Sequence, residues 1–447
     1  MKPRPLQLAL LGLAFLCAPP AQALGLLQAY DLAVLNDPTF HAALKERDAG
    51  EENRVIGRSA LLPNLSWSYN NSRNESEVTQ TLPQGDVTTD RDYRSYAATL
   101  TLQQPLLDYE AYARYRQGAA QALFADERFR SKSQELAVRL LGAYSQALLA
   151  QERIELSQAQ RRTYAERLQL NQRLLQGGEG TRTDVLETQA RLSLALADEI
   201  ESRDLQDTAL RELEAIVGQP LQIDELDPLV RRFEIQPLQP NRFDTWRDLA
   251  LANNPELASQ HHALRAAEYE VERKRAGHLP KVSLYASSRQ TRSDSESSYN
   301  QKYDTNTVGI QVSVPLFAGG SVSASTRQAA SQLSQAQYEL DAQTASTLIE
   351  LRKQFNLNSS GAAKVRAYEM AVSSAEALVL ATQKSVHGGE RVNLDVLDAE
   401  QQLFSARRDL ADARHAYLLA RIQLKYYAGL LNEQDLQQLA GYFHPLG

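Results

Sequence analysis

The sequence predicts a mixed α/β membrane protein in which two long helical hairpins are joined to four strands that can close only as a barrel shared between several chains. Three observations predict it: a module used twice, helical runs too long for a globular domain, and short period-two stretches ended by prolines. The duplication is plainest at Gly177-Gly178-Glu179 and Asp184-Val185-Leu186-Glu187, answered 211 positions later by Gly388-Gly389-Glu390 and Asp395-Val396-Leu397-Asp398. In each copy a glycine pair ends one apolar-periodic run and acidic residues open the next, which is the pattern of helix, tight turn, helix.

Lys2 and Arg4 precede the apolar run Leu6 to Leu16, and Ala21-Gln22-Ala23 has the small-x-small form of a cleavage site, so residues 1–23 read as a secretory signal peptide. The run falls well short of the about 20 apolar residues of a spanning helix. The single cysteine, Cys17, lies inside this segment behind Leu16, where a lipid anchor would want a small residue. A mature chain starting at Leu24 then needs no disulfide, although its compartment permits one. The net charge of −7 becomes more negative without the signal and argues against nucleic acid as a partner. No later stretch is apolar enough for a spanning helix, so entry into a membrane requires a barrel, whose backbone groups pair between strands.

The first module runs over residues 24–220. From Gln28 to Leu62 the apolar residues Leu32, Leu35, Phe40, Ala43, Leu44 and Val55 have helical spacing, interrupted at Asp37-Pro38. Pro63 ends that helix. Leu65, Trp67 and Tyr69 then alternate with Ser66, Ser68 and Asn70, as a strand with one apolar face does. The polar segment Arg73 to Asp92, with Pro83 and Gly85, is expected to be a solvent loop. A second strand follows, with Tyr96, Ala98, Leu100 and Leu102 on one face, and Pro105 at its end. From Ala111 to Gln176 there is no proline, and at about 1.5 Å per residue the helix approaches 100 Å. Val185 to Val217 returns as its partner, closing at Gly218-Gln219-Pro220.

A connector occupies residues 221–242, a second module 243–430 and a C-terminal segment 431–447. Asp31, Asn36, Pro38, Pro63 and Ser66 are answered by Asp248, Asn253, Pro255, Pro280 and Ser283 at an offset of 217, whereas the hairpins repeat at 211. The shortening falls between the blocks, in the strand region, where an exposed turn tolerates it. Val282 and Leu284, then Val308, Ile310, Val312 and Val314, supply the third and fourth strands, and Pro315 plays the part of Pro105. Four strands cannot close a membrane barrel, whose smallest members have about eight. Several chains must therefore contribute, with the apolar stripe toward lipid and the Ser/Thr/Gln stripe toward water; the alternative is a soluble four-stranded sheet on a helical bundle.

Catalytic and metal patterns are absent from the sequence: His261 and His262 are adjacent rather than one helical turn apart, and no phosphate loop, G-x-S-x-G or cysteine-based metal site occurs. An enzyme is not expected, nor a cofactor. At the tips, Asp395 and Asp398 share a helix face, as do Asp184 and Glu187. Carboxylates in a first turn cap free N–H groups and suit the helix dipole, so a capping role and a pore role are both open on spacing alone.

The duplicated hairpins, the proline-marked strand ends, the run Arg391-Val392-Asn393-Leu394-Asp395-Val396-Leu397-Asp398 and the later Asn432-Glu433-Gln434-Asp435-Leu436 resemble the TolC family of outer-membrane channel proteins over essentially the whole mature chain. The resemblance implies a homotrimer whose chains build one 12-stranded β-barrel in outer-membrane lipid, four strands per chain, continued by a long periplasmic α-helical barrel. It implies that Asp395 and Asp398 form a pore gate, that Arg391, Thr183 and Asp184 latch neighbouring hairpins, and that Gly178 and Gly389 are the tips that dock a periplasmic adaptor protein. A tyrosine expected on the latch is replaced by Val386. The V-L-D tip, the Asn432 to Leu436 motif and the missing anchor cysteine favour a type I protein secretion duct, working with an inner-membrane ABC transporter on secreted protein cargo. Multidrug or small-molecule efflux is the alternative, and a soluble periplasmic coiled-coil scaffold a second.

Overall fold

The computed structural model describes residues 24–230, 233–295 and 298–443; the expected signal peptide lies outside the described residues. Helix α1 (Leu26–Asn36) and helix α2 (Pro38–Ser59) meet where the Asp37 side chain accepts the Phe40 N–H at 2.6 Å, with proline in the first turn of α2. Asp37 is buried and also takes a hydrogen bond from Arg139 at 3.0 Å. In the second module α5 (Phe243–Asn253) and α6 (Pro255–Arg275) repeat the joint, with Asn254 accepting from Leu257 N–H at 3.0 Å. The same local chemistry, capping side chain then proline, therefore ends one helix and starts the next in both copies.

Strands β1 (Asn64–Leu82), β2 (Gly85–Leu107), β3 (Lys281–Ser295) and β4 (Ser298–Ser313) form one antiparallel sheet in the order β1-β2-β3-β4. The register confirms the two stripes. Leu65, Leu102, Ala286 and Val308 stand across one face, and Ser66, Thr101, Ser287 and Thr307 across the other. Trp67, Ile310 and Val312 are each more than 60% exposed, so no described residue of the chain covers the apolar face.

The segment from Arg73 to Asp92 is not a loop. It continues the first hairpin in register as far as Leu82 opposite Gly85, turning over Pro83-Gln84 with Gly85 at φ +122°. Ladder hydrogen bonds come from the backbone, and both faces here are polar, so the period-two signal vanishes while the pairing persists. Cross-strand partners hold it: Ser72 to Ser95 at 2.8 Å, Arg73 to Asp92 at 3.0 Å and Thr79 to Thr88 at 3.0 Å. Strand β2 also runs beyond Pro105, through a register irregularity between Pro105 and Leu107, a place where a missing N–H is tolerated.

Below the sheet, α2, α3 (Tyr109–Gly177), α6 and α7 (Ser321–His387) pack side by side in the order of the strands above them. The contact between α2 and α3 is close because of glycine: a Cβ on Gly118 would stand 2.2 Å from the Asn53 carbonyl oxygen. At 69 residues α3 is about 100 Å long. It folds back into α4 (Arg182–Val217), and α7 into α8 (Asn393–Tyr427).

Partway down the helices, α1, α9 (Glu433–Ala440) and the connector cover one face of α3, α4 and α8 around Tyr144, Leu140, Leu213, Leu418, Ile422 and Phe443. Tyr144 is fully buried; its hydroxyl donates to the Leu24 carbonyl at 2.9 Å and accepts the Asp227 N–H at 2.9 Å. Burial of the phenol pushes its pKa well up, the Asp227 charge adding to the effect. The hairpins below this belt leave only the helix tips at their far end.

Candidate functional site at the hairpin tips

The first tip is closed by glycine and a double cap. Gly178 takes φ +78°, so the N–H groups of Glu179 and Gly180 turn back to the Leu174 carbonyl at 2.9 and 3.1 Å. Thr181 then opens α4: its hydroxyl oxygen accepts the Asp184 N–H at 3.1 Å, and the Asp184 carboxylate accepts the Thr181 N–H at 3.1 Å. The Thr181 hydroxyl also donates to that carboxylate at 2.6 Å. Asp184 is thus engaged with its own helix start.

At the second tip the same glycine geometry recurs, with Gly389 at φ +78° and Glu390 N–H reaching the Ser385 carbonyl at 2.9 Å. The cap does not recur. Val392 stands where the first tip has Thr181, so the Asp395 carboxylate accepts the Val392 N–H at 3.2 Å but no hydroxyl returns a bond. An exposed valine leaves one more first-turn N–H without a side-chain acceptor. The second tip is the less tied of the two.

Of the residues singled out in the sequence, Asp398 is exposed and Asp395 half-buried on one face of α8. Asp398 accepts a hydrogen bond from Arg191 of α4 at 2.7 Å. Arg391 and Thr183 are exposed and, among the described residues, form no hydrogen bond or ion pair within the chain. The structure therefore brings Asp398 to the first hairpin, and does not bring Arg391 to Thr183 or Asp184 inside one protomer. Val386 is half-buried at the end of α7.

Sequence reasoning missed the polar seam that joins the hairpins above the tips. Arg167 of α3 donates to Glu400 of α8 at 2.6 Å, both nearly buried. Gln160 and Tyr164 meet Gln401 at 2.9 and 3.2 Å, and Arg153 meets Asp412 at 2.8 Å. Higher still, Ser145 meets His415 at 2.6 Å. Their one sequence signal was polar residues on an otherwise apolar stripe of α3. Among the described residues no cluster of His, Cys, Asp or Glu could hold a metal, and no helix is long and apolar enough to cross a membrane.

A four-stranded sheet with a bare apolar face, set on helices of such length and ending in charged, cap-bound tips, defines a channel-forming subunit rather than a globular one. The chain belongs to the outer-membrane efflux protein family, whose model matches residues 29–219 and 246–430. It is an outer-membrane protein with helices that extend into the periplasm. Among its relatives, the alkaline protease secretion protein AprF of Pseudomonas aeruginosa is 57% identical over 95% of this chain and 88% of its own length. The proteases secretion protein PrtF of Dickeya chrysanthemi is 52% identical over 95% of this chain and 92% of its own. The fold matches that of the outer-membrane channel OprN with a TM-score of 0.78 at 20% identity, covering 90% of this chain and 89% of that one.

Proposed function

We propose that the protein is the outer-membrane exit duct of a type I secretion system, passing unfolded exported protein, proteases included, from an inner-membrane ABC transporter and a periplasmic adaptor to the outside. The observation that carries this is the 57% identity to a protease secretion protein along nearly the full chain. The duct performs no chemistry; the transporter supplies the energy.

The working unit is a homotrimer. Each chain leaves β1 and β4 as free sheet edges, and open edges cannot stand in lipid. The helices repeat the argument, since α4 exposes Leu186, Leu194 and Ile200 while α7 exposes Tyr338, Ile349 and Met370. Neighbouring copies cover these edges and flanks. Threefold symmetry then multiplies Asp395 and Asp398 into a ring of carboxylates at the periplasmic mouth. Arg391 reaches the neighbouring first tip at Thr183 and Asp184 to latch it. Gly178 and Gly389, each with positive φ and with open space where a Cβ would stand, present bare backbone to the adaptor.

Deleting the gene and restoring it tests the reading: secreted protease should vanish from the medium and return. An unchanged extracellular proteome together with new drug sensitivity would replace secretion by small-molecule efflux. A soluble periplasmic scaffold is excluded by the outer-membrane family and the uncovered apolar sheet face.

A further inference from the structure

Just below the strands, α3 and α6 part to leave a groove of about 270 Å³, walled by Tyr115, Arg116, His262, Arg265 and Tyr269 over a floor that includes Leu123. Among the described residues no carboxylate lines it. Arg116 donates to the Tyr269 hydroxyl at 2.8 Å and lies over the Tyr269 ring, a neutral partner that orients the guanidinium without cancelling its charge. Arg265 is exposed and, among the described residues, has no hydrogen-bond or ion-pair partner. Two arginines therefore face one cleft with their charge unspent.

The position of the cleft says what charge it meets. Tyr115 precedes Tyr144 by about eight turns of α3, so both lie on the face that carries the connector belt, which a closed ring of helices leaves outside. Above it stand Tyr109 and Tyr112, rings 5.9 Å apart and half-exposed, and then the exposed Leu106 and Leu107 that end β2. Tyrosines under an apolar band mark the boundary of a bilayer. Arg116 lies nine residues beyond Leu107, roughly 13 Å down the helix, and each headgroup layer is about 5–8 Å thick, so a long guanidinium side chain can reach up into it.

We propose that this groove holds the headgroup phosphate of an anionic phospholipid in the periplasmic leaflet of the outer membrane. Arg116 and Arg265 bind the phosphate oxygens, the tyrosine hydroxyls complete the polar contacts, and Leu123 with the alanines of the floor lies beneath the headgroup, the acyl chains running up past Tyr112 and Leu107. The site would fasten the helical tunnel to the membrane at the junction where strands become helices. It rests on the outer-membrane placement and not on the cargo.

The test uses the purified full-length oligomer in detergent, stripped of lipid, with native mass spectrometry and thermal unfolding as readouts. Phosphatidylglycerol should remain bound through detergent removal and raise the unfolding midpoint, whereas phosphatidylethanolamine and inorganic phosphate should do neither. The R116Q/R265Q double variant should lose about tenfold or more in phosphatidylglycerol affinity, as removal of charge-assisted phosphate contacts implies. R265Q alone, at an exposed and unbonded position, keeps the test valid should the double variant fail to assemble. Equal retention of the two lipids, equal protection by inorganic phosphate, or unchanged binding by R265Q and the double variant would each overturn the proposal. Protease secretion by the same variants reports separately on the exit-duct reading.

Discussion

The Asp398 carboxylate accepts a hydrogen bond from Arg191 at 2.7 Å, which ties the proposed gate helix α8 to α4 of the same protomer. The side chains are 30% and 59% exposed, so the pair contributes less than about 1 kcal/mol and is screened by salt. Its consequence lies in position, since it restrains the side chain of a proposed gate residue from free rotation. Arg191→Gln should leave the melting temperature unchanged and raise single-channel conductance in planar bilayers. Conductance equal to that of the wild type would make the contact incidental to gating.

The proposed ring of carboxylates makes a separate prediction. Changing Asp395 and Asp398 together to alanine should abolish block of the channel by multivalent cations applied from the periplasmic side, with trimers intact. Asp395 also accepts the Val392 N–H, so its loss removes a cap contact of about 1 kcal/mol at an end that is capped only in part. Persistent cation block in an assembled variant would return both residues to helix capping.

How the two tips divide the work was partly legible in the sequence. Gly178 and Gly389 announced both turns, and Asp184 and Asp395 both helix starts, because capping is local chemistry. The contrast between Thr181 and Val392 needed the structure, where one cap closes fully and the other by half. Trp67 and Ile310 showed their strands by alternation, but the continuation from Arg73 to Asp92 did not, since a ladder wet on both faces has no apolar period. Arg191 and Arg167 were invisible for another reason: each meets its acid across more than two hundred residues, and the duplication offers no counterpart pair.

The half-closed cap can be completed by design. Val392→Thr gives the second tip the hydroxyl that Thr181 gives the first, adding about 1 kcal/mol to the start of α8. A stiffer gate helix should open less readily, so secreted protease should fall while the variant stays trimeric and unfolds at a slightly higher temperature. Normal secretion with the higher stability would show that opening does not require this end to loosen.

The Arg167–Glu400 pair is a stronger tie than those at the tip. Its side chains are 15% and 4% exposed; one Glu400 oxygen has no partner among the described residues and the other takes only a long 3.4 Å bond from Gln383 besides arginine, so the acid depends mainly on Arg167 for its burial. Arg167→Ala strands that charge and should cost about 3–5 kcal/mol, whereas Arg167→Met with Glu400→Leu removes both charges and should recover most of it. A double-mutant cycle in denaturant checks the coupling. Additive losses would mean that the two side chains do not act as a pair.

Tyr144 links stability to alkaline pH. Burial raises its folded pKa above the ordinary value near 10 for a free phenol, so the folded state holds the proton more tightly than the unfolded state. The contribution is therefore fully present below about pH 10 and is lost as pH rises from there through the folded pKa. Tyr144→Phe should cost about 1–3 kcal/mol at neutral pH, because the Leu24 carbonyl and the Asp227 N–H are left buried without their partner. Above pH 10 the variant should lose stability less steeply than the wild type; some slope remains, because burial also raises Tyr164, Tyr426 and Tyr442. Denaturant midpoints measured between pH 8 and 11 decide it, and parallel curves for the two proteins would mean that the Tyr144 proton is not linked to folding.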